Sequence, residues 1–193
     1  NNIRLGAMKL NYDGAQAECA LRTADEAAAA AAGDPPLTTI LYKCDGTLDG
    51  SQVIADIDDA ATNAGHIDLM VGAINELKAD AWTPLAEAVF NAIGYYTQRS
   101  DMRLNTNDFT IGAPEPCTDW CQSNNILVIT EGASTADLHA MVTDFAAVDG
   151  QNDGDTDTAV KCNDLYGSTY LDDITYYGFN GHDIHKEGDA WTE

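Results

Sequence analysis

Residues 125–130 read Asn125-Ile-Leu-Val-Ile-Thr130, and they follow a long loop rich in Asn, Pro and Cys. A short run whose consecutive residues are nearly all apolar is typical of a strand at the centre of a sheet, with helices covering both faces. We therefore expect these residues to form a buried central strand around which the rest of the fold is arranged.

Helical patterns lie on both sides of this run. The clearest begins with Thr83 as the N-cap and Pro84 at the first helical position, and its apolar residues then recur every third or fourth position. That stripe consists of Leu85, Val89, Ile93 and Tyr96. Similar spacing predicts helices over residues 51–61, 67–77, 137–148 and 169–177, and a capping box predicts a short one over residues 23–32.

Two further strands are predicted, over residues 3–10 and 37–42, because each combines β-branched or alternating apolar residues with flanking turn signals. Strands that interleave with helices predict an α/β fold with an open, mostly parallel sheet flanked by helices. The chain has no internal repeat and no linker, so residues 1–193 are expected to form a single domain.

The charge restricts the possible partners. Nine Lys and Arg residues oppose 32 Asp and Glu residues, which gives a net charge of −23. A surface this acidic repels the phosphates of nucleic acids, so a nucleic-acid partner is not expected. No run approaches the roughly 20 apolar residues that a membrane-spanning helix requires, so membrane insertion is not expected. Such a charge suits divalent cations or a strongly solvated surface.

The cysteines indicate an oxidising compartment. The five residues Cys19, Cys44, Cys117, Cys121 and Cys162 form no Cys-x-x-Cys pair and have no His at zinc-finger spacing. In an acidic chain rich in Asn and Thr, we interpret them as disulfide formers, with five reduced core thiols as the alternative. Two bridges would leave one Cys over, whose expected partner is a cysteine on a missing segment or another chain, and the sequence does not select the pairing.

Three segments together resemble one family. Residues 81–90 (Ala81-Trp-Thr-Pro-Leu-Ala-Glu-Ala-Val-Phe90), 121–135 (Cys121-Gln-Ser-Asn-Asn-Ile-Leu-Val-Ile-Thr-Glu-Gly-Ala-Ser-Thr135) and 167–179 (Gly167-Ser-Thr-Tyr-Leu-Asp-Asp-Ile-Thr-Tyr-Tyr-Gly-Phe179) are similar, in order, to motifs of the von Willebrand factor A-like domain of the PilY family. That family comprises adhesins associated with the tips of type IV pili. The resemblance implies a Rossmann-like, extracellular binding module for cell adhesion or for docking to minor pilins or another surface protein, and no enzymatic activity.

The resemblance also implies a metal-ion-dependent adhesion site for Mg²⁺ or Mn²⁺. Thr83 matches the family's Thr ligand, and Glu131 stands where an Asp is usual; the alternatives are a plain helix cap and a solvated turn residue. No D-x-S-x-S loop precedes Ile3, which would begin the second strand of that fold. We therefore expect the first, central strand to come from a preceding segment or a separate chain.

An acidic loop over residues 149–157 forms a second candidate metal site, inserted in the domain. Side-chain oxygens recur at alternate positions and Gly154 stands sixth, as in the first half of a calcium loop. The twelfth position is Val160 rather than Glu, so the loop is not an EF-hand, and the alternative is an ordinary solvated loop. The candidate Ca²⁺ ligands are Asp149, Gln151, Asp153, Asp155 and Asp157.

Two other functions stay open. The first is a structural scaffold of a pilus or filament assembly, with a degenerate adhesion site and a calcium-stiffened loop. The second is a phosphatase, because residues 40–49 resemble the D-x-D-G-T-L loop of haloacid dehalogenase-like enzymes. In that motif Lys43 occupies the position of the nucleophilic Asp, and a cation there cannot form an aspartyl-phosphate.

Overall fold

The computed structural model describes residues 4–10, 19–21, 42–44, 50–59, 63–77, 83–112, 115–118, 122–130, 132, 134, 137, 139–148 and 168–179. Its strands are β1 (Arg4–Leu10), β2 (Cys19–Leu21), β3 (Tyr42–Cys44) and β4 (Ser51–Asp59). Its α-helices are α1 (His66–Asn75), α2 (Leu85–Thr97), α3 (Ala140–Val148) and α4 (Leu171–Phe179), with a 3₁₀ turn at Ser100–Met102.

The strands form two antiparallel pairs. β1 pairs with β4, so that Leu10 lies opposite Ser51 and Met8 opposite Val53, and β2 pairs with β3. Both pairings within the described ranges are antiparallel. The open, mostly parallel sheet therefore stays a prediction, whereas the strand predicted over residues 3–10 is confirmed.

The prediction of a helix over residues 51–61 is wrong, because residues 51–59 form β4. Val53, Ala55 and Ile57 alternate along this strand, and Ala55 and Ile57 are buried. The alternation of every second residue is typical of a strand, whereas the three-residue spacing of Ile54 and Ile57 is typical of a helix. Hydrogen bonding to β1 favours the strand.

An irregularity in β1 brings the two strands close together. The register of the β1–β4 pair shifts between Leu5 and Ala7 and again between Ala7 and Met8. A Cβ atom on Gly6 would lie 2.7 Å from Ile57 Cγ1 and 2.9 Å from the Ile57 nitrogen. Only glycine therefore fits at this bulge without displacing β4.

Helix α2 occupies the centre of the described fold. One side packs against α3, α4 and the 3₁₀ turn, in a core whose fully or nearly fully buried members include Phe90, Ile93, Met102, Val142 and Ile174. The opposite side packs on β4 through Tyr95, which contacts Ile57 and Phe109. Because both sides are covered, the helix buries polar residues as well as its apolar stripe.

Three predicted helices are present in the structure. Two begin later than predicted, and one is more exposed than predicted. The helix predicted over residues 67–77 is α1, but the face predicted to be buried is largely open, since Val71, Ile74 and Leu77 are each at least 45% exposed. The helices predicted at residues 137–148 and 169–177 are α3 and α4, which begin at Ala140 and Leu171. Residues 23–32 and 37–41 lie outside the described residues.

Residues 125–130 differ most from their prediction as a buried central strand. The structure assigns them no strand, and their apolar side chains face solvent, with Leu127 84% and Ile129 85% exposed. Ile126 and Val128, at 41% and 45%, are exposed about half as much. Consecutive side chains thus alternate as in an extended segment, but no described strand pairs with it.

Candidate functional site

The amino-terminal end of α2 is the described region closest in sequence to the predicted adhesion site. Thr83 lies just before this helix and is half-buried, and the helix begins at Leu85 with Pro84 as its N-cap residue. The side chain of this N-cap residue makes no hydrogen bond to the helix. The prediction that Thr83 is the N-cap and Pro84 the first helical residue is therefore wrong by one position.

A residue distant in sequence satisfies this end of the helix. Asp137 Oδ2 accepts a hydrogen bond from the Ala86 N–H at 3.1 Å, and Asp137 Oδ1 accepts one from the Glu87 N–H at 3.0 Å. The first N–H groups of a helix have no partners within it, and a carboxylate also interacts favourably with the positive end of the helix dipole. Asp137 thus caps this end of α2.

Two hydroxyl groups hold the Asp137 carboxylate in position. Ser134 Oγ and Ser168 Oγ donate hydrogen bonds to Asp137 Oδ2 at 2.5 Å and 2.8 Å. Both serines are buried, and Asp137 is completely so. Four donors around one carboxylate offset the cost of burying its charge. The arrangement joins three segments of chain, because Ser168 precedes α4 and Ser134 precedes α3.

Glu87 makes the reciprocal contact. Its side chain is completely buried, and its Oε1 accepts a hydrogen bond from the backbone N–H of His139 at 2.8 Å. His139 immediately precedes α3, and its carbonyl accepts hydrogen bonds from Val142 and Thr143. Glu87 on α2 therefore caps the start of α3, while Asp137 beside α3 caps the start of α2.

A second buried polar network fixes the middle of α2. Asn91 Nδ2 donates to the Ser51 carbonyl at 3.0 Å and to Asp108 Oδ2 at 2.9 Å, and Asn91 Oδ1 accepts from the Leu104 N–H. The Asp108 carbonyl in turn accepts from the Val53 N–H at 2.7 Å. These bonds join β4, α2 and the turn at residues 104–108. They give the buried polar residues Asn91 and Asp108 a structural role.

The exposed apolar segment Ile126–Ile129 is joined to the fold at its beginning. Tyr96 Oη donates to the Asn125 carbonyl at 3.2 Å, and burial raises the pKa of Tyr96. Upstream, Arg4 Nη1 donates to the Pro116 carbonyl at 2.7 Å and Arg4 Nη2 to the Glu115 carbonyl at 2.9 Å. β1 and α2 thus both contact the chain that leads into the segment.

Of the predicted metal ligands, Thr83 alone lies in the described part of the chain. Glu131 and the acidic-loop residues Asp149, Gln151, Asp153, Asp155 and Asp157 lie outside it. Among the residues whose placement is described, no three His, Cys, Asp or Glu side chains come together to hold a metal ion. The adhesion site and the calcium site therefore both stay predictions.

Sequence reasoning missed Asp137, Glu87, Ser134 and Ser168. Asp137 comes three residues before α3, where an acidic residue suggests a cap for its own helix, and Glu87 stands in the first turn of α2, where acidic residues are common. The acidic residue types near the helix starts therefore indicated that both side chains could cap a helix. The sequence did not show that Asp137 caps α2 or that Glu87 bonds to the residue before α3.

Searches of family models, of curated proteins and of solved structures gave no match to this chain. No helix within the described ranges has the length and apolar character needed to cross a membrane.

Proposed function

We propose that this chain is a non-enzymatic binding module of the von Willebrand factor A type, displayed at the cell surface at a type IV pilus tip. In this proposal it binds a minor pilin or another surface protein through a Mg²⁺ or Mn²⁺ ion held by Thr83 and Glu131. A carboxylate of the partner would replace one of the waters that such a hard ion retains.

The bonds of Asp137 to α2 carry the proposal. Asp137 follows Glu131 by six residues, and it contacts the N–H groups of Ala86 and Glu87, three and four residues after Thr83. Gly132 and Ser134 are the described residues between the two acidic positions. The contact between Asp137 and α2 therefore lies within six residues of each proposed ligand. Chain segments this short allow the Thr83 hydroxyl and the Glu131 carboxylate to reach one ion.

The exposed segment Ile126–Ile129 supports the second part of the proposal, that a β-strand from a preceding segment or a separate chain completes the sheet. Contiguous exposed apolar residues mark interaction surfaces, and an extended segment that no described strand pairs with can accept one. Leu127 is more exposed than Val128, so the face of the segment that carries Leu127 is the one that a partner would cover.

A Mn²⁺ titration followed by electron paramagnetic resonance tests the metal site. We expect Thr83→Ala and Glu131→Gln each to weaken binding about ten-fold or more, whereas Thr83→Ser, which keeps the hydroxyl, retains it. Glu76→Gln makes the same charge change at an exposed position after α1 and controls for non-specific attraction to an acidic protein. Unchanged affinity in both Thr83→Ala and Glu131→Gln would refute the site.

The second candidate is a structural scaffold whose adhesion site is degenerate. It is favoured by Glu131, which stands where the family has an Asp and whose side chain is longer by one methylene. If Ca²⁺ raises the melting temperature while Mg²⁺ and Mn²⁺ change neither stability nor partner binding, the scaffold function is correct and the adhesion function is wrong.

A further inference from the structure

β2 and β3 place two cysteines directly opposite each other. The register of this antiparallel pair matches Cys19 with Cys44, Ala20 with Lys43 and Leu21 with Tyr42. Opposed residues in such a ladder have Cα atoms about 4.5 Å or about 5.5 Å apart, depending on the pair type. Disulfides span Cα separations of roughly 4.4 to 6.8 Å, so either pair type is compatible with a bridge.

We propose that Cys19 and Cys44 form a disulfide bond that links β2 to β3. The register selects this pair out of the arrangements that five cysteines allow. Of the other three cysteines, Cys117, Cys121 and Cys162, a second bridge would leave one over.

The bond forms by exchange with an external disulfide, such as glutathione disulfide or an oxidised dithiol oxidoreductase. The thiolate of one cysteine attacks the oxidant and forms a mixed disulfide, and the thiolate of the other then displaces the second oxidant sulfur. The two thiols lose two protons and two electrons. The oxidant's disulfide gains them and becomes two thiols.

The short strands give the bridge a structural role. β2 and β3 have three residues each, and within the described ranges each pairs only with the other. A two-stranded ladder of this size is marginal by itself. A covalent link between its ends restricts the unfolded chain by closing the loop from residue 19 to residue 44, which favours the paired state.

Cys117 is the cysteine whose side-chain surroundings the structure describes. It is half-buried, Asn124 Nδ2 lies 3.1 Å from its Sγ atom, and burial raises the pKa of its thiol. A thiol with a raised pKa is a poor nucleophile in disulfide exchange at neutral pH. Cys117 is therefore a slow competitor for exchange with either residue of the proposed pair.

Peptide mapping without reduction tests the bond directly. Trypsin cuts after Lys9, Arg22, Lys43 and Lys78, and so releases Cys19 and Cys44 on separate peptides, 10–22 and 44–78, that contain no other cysteine. After refolding of the whole chain in reduced and oxidised glutathione, followed by thiol blocking, we expect these two peptides to be linked. Blocked thiols at both positions, or a link from either to another cysteine, would overturn the proposal.

Variants provide a second readout. Cys19→Ser and Cys44→Ser should each lower the melting temperature of the oxidised chain by about 5 °C or more, and the double variant should lower it no further. Cys117→Ser is the control and should retain the linked peptides. If the two single substitutions add, the cysteines act independently and the proposal fails. None of these results depends on the metal site, so this proposal and the adhesion function fail separately.

Discussion

Asp137 and Glu87 cap each other's helices. The carboxylate of Asp137 accepts the N–H groups of Ala86 and Glu87 at the start of α2, and the carboxylate of Glu87 accepts the N–H of His139 just before α3. Each acidic side chain is completely buried. Asp137 therefore satisfies N–H groups in the first turn of α2. Glu87 holds His139, the residue before α3, whose Nδ1 accepts a hydrogen bond from the Met141 N–H in the first turn of α3.

Asp137→Ala should lower the free energy of unfolding by about 3 kcal/mol, because it removes the cap of α2 and leaves the Ser134 and Ser168 hydroxyls without their acceptor. Urea denaturation measures this change. Asp144→Ala removes a carboxylate from an exposed position in α3 and should change stability by no more than about 0.5 kcal/mol. Equal effects of the two substitutions would contradict the capping role.

Gly94→Ala should destabilise the chain by about 2 kcal/mol or more, although alanine is the better helix former by about 1 kcal/mol. A Cβ atom at position 94 would lie 2.8 Å from Met102 Cβ and would crowd the Met102 carbonyl, which belongs to the backbone and cannot turn aside. Thermal and urea unfolding measure the loss.

Gly72→Ala in α1 is the matched control for that substitution. A Cβ atom there meets nothing within 4 Å, so the substitution should stabilise the chain by up to about 1 kcal/mol. A stabilising effect at both positions would show that α2 does not approach the 3₁₀ turn as closely as described.

Tyr95→Phe should cost about 1–3 kcal/mol. The Tyr95 hydroxyl accepts a hydrogen bond from the backbone N–H of Ile57 at 2.8 Å, and phenylalanine would leave that N–H buried without its acceptor. Tyr176→Phe, at an exposed position on α4, should be nearly neutral. A neutral effect at Tyr95 would mean that water or another group replaces its hydroxyl.

Stability should fall as the pH rises above about 10. Burial raises the pKa of Tyr95 above its ordinary value, with the nearby Asp56 carboxylate acting in the same direction, and burial also raises the pKa of Tyr96. The folded state therefore holds protons that the unfolded state releases. The stabilising contribution is complete below the unfolded pKa and is lost as the pH rises through the folded pKa.

Melting temperatures between about pH 9 and pH 11.5 measure this effect, and phenolate absorbance identifies the groups that ionise. The decline should be shallower in Tyr95→Phe than in Tyr176→Phe. The same slope in both variants would assign the alkaline decline to groups other than Tyr95.

Leu127→Asn combined with Ile129→Asn should leave the stability of the isolated chain within about 1 kcal/mol of the original, because both side chains are exposed. The same pair of substitutions should abolish assembly with a strand-donating partner, as size-exclusion chromatography of the mixed proteins would detect. Phe90→Ala is the contrasting control, since it empties a fully buried position and should cost about 3–5 kcal/mol. A similar loss from the Asn pair would mean that residues 127 and 129 are buried after all.

The local patterns predicted several elements correctly. The apolar stripe from Leu85 to Ile93 is buried in α2, and the β-like run that begins at Ile3 is described as β1 from Arg4 onward. These elements follow from periodicity within a single segment, which the sequence contains in full.

The patterns failed where a partner decided the outcome. Ser51–Asp59 has spacing compatible with either a helix or a strand, and pairing with β1 decides in favour of the strand. The run at Asn125-Ile-Leu-Val-Ile-Thr130 has the composition of a central strand, yet within the described residues no strand pairs with it and Leu127 faces solvent. Composition records what a segment can bury, whereas burial itself requires a neighbour.

The sequence by itself determined the acidic charge, the helix at Leu85–Thr97, and the presence of Thr83 and Glu131 as candidate ligands, because each is a property of residue type and local spacing. The tertiary structure alone decided that Asp137 caps α2 and that Cys19 lies opposite Cys44. Both relationships join residues far apart in the chain, and the free energy that forms them comes from packing and hydrogen bonding between segments, which no single segment encodes.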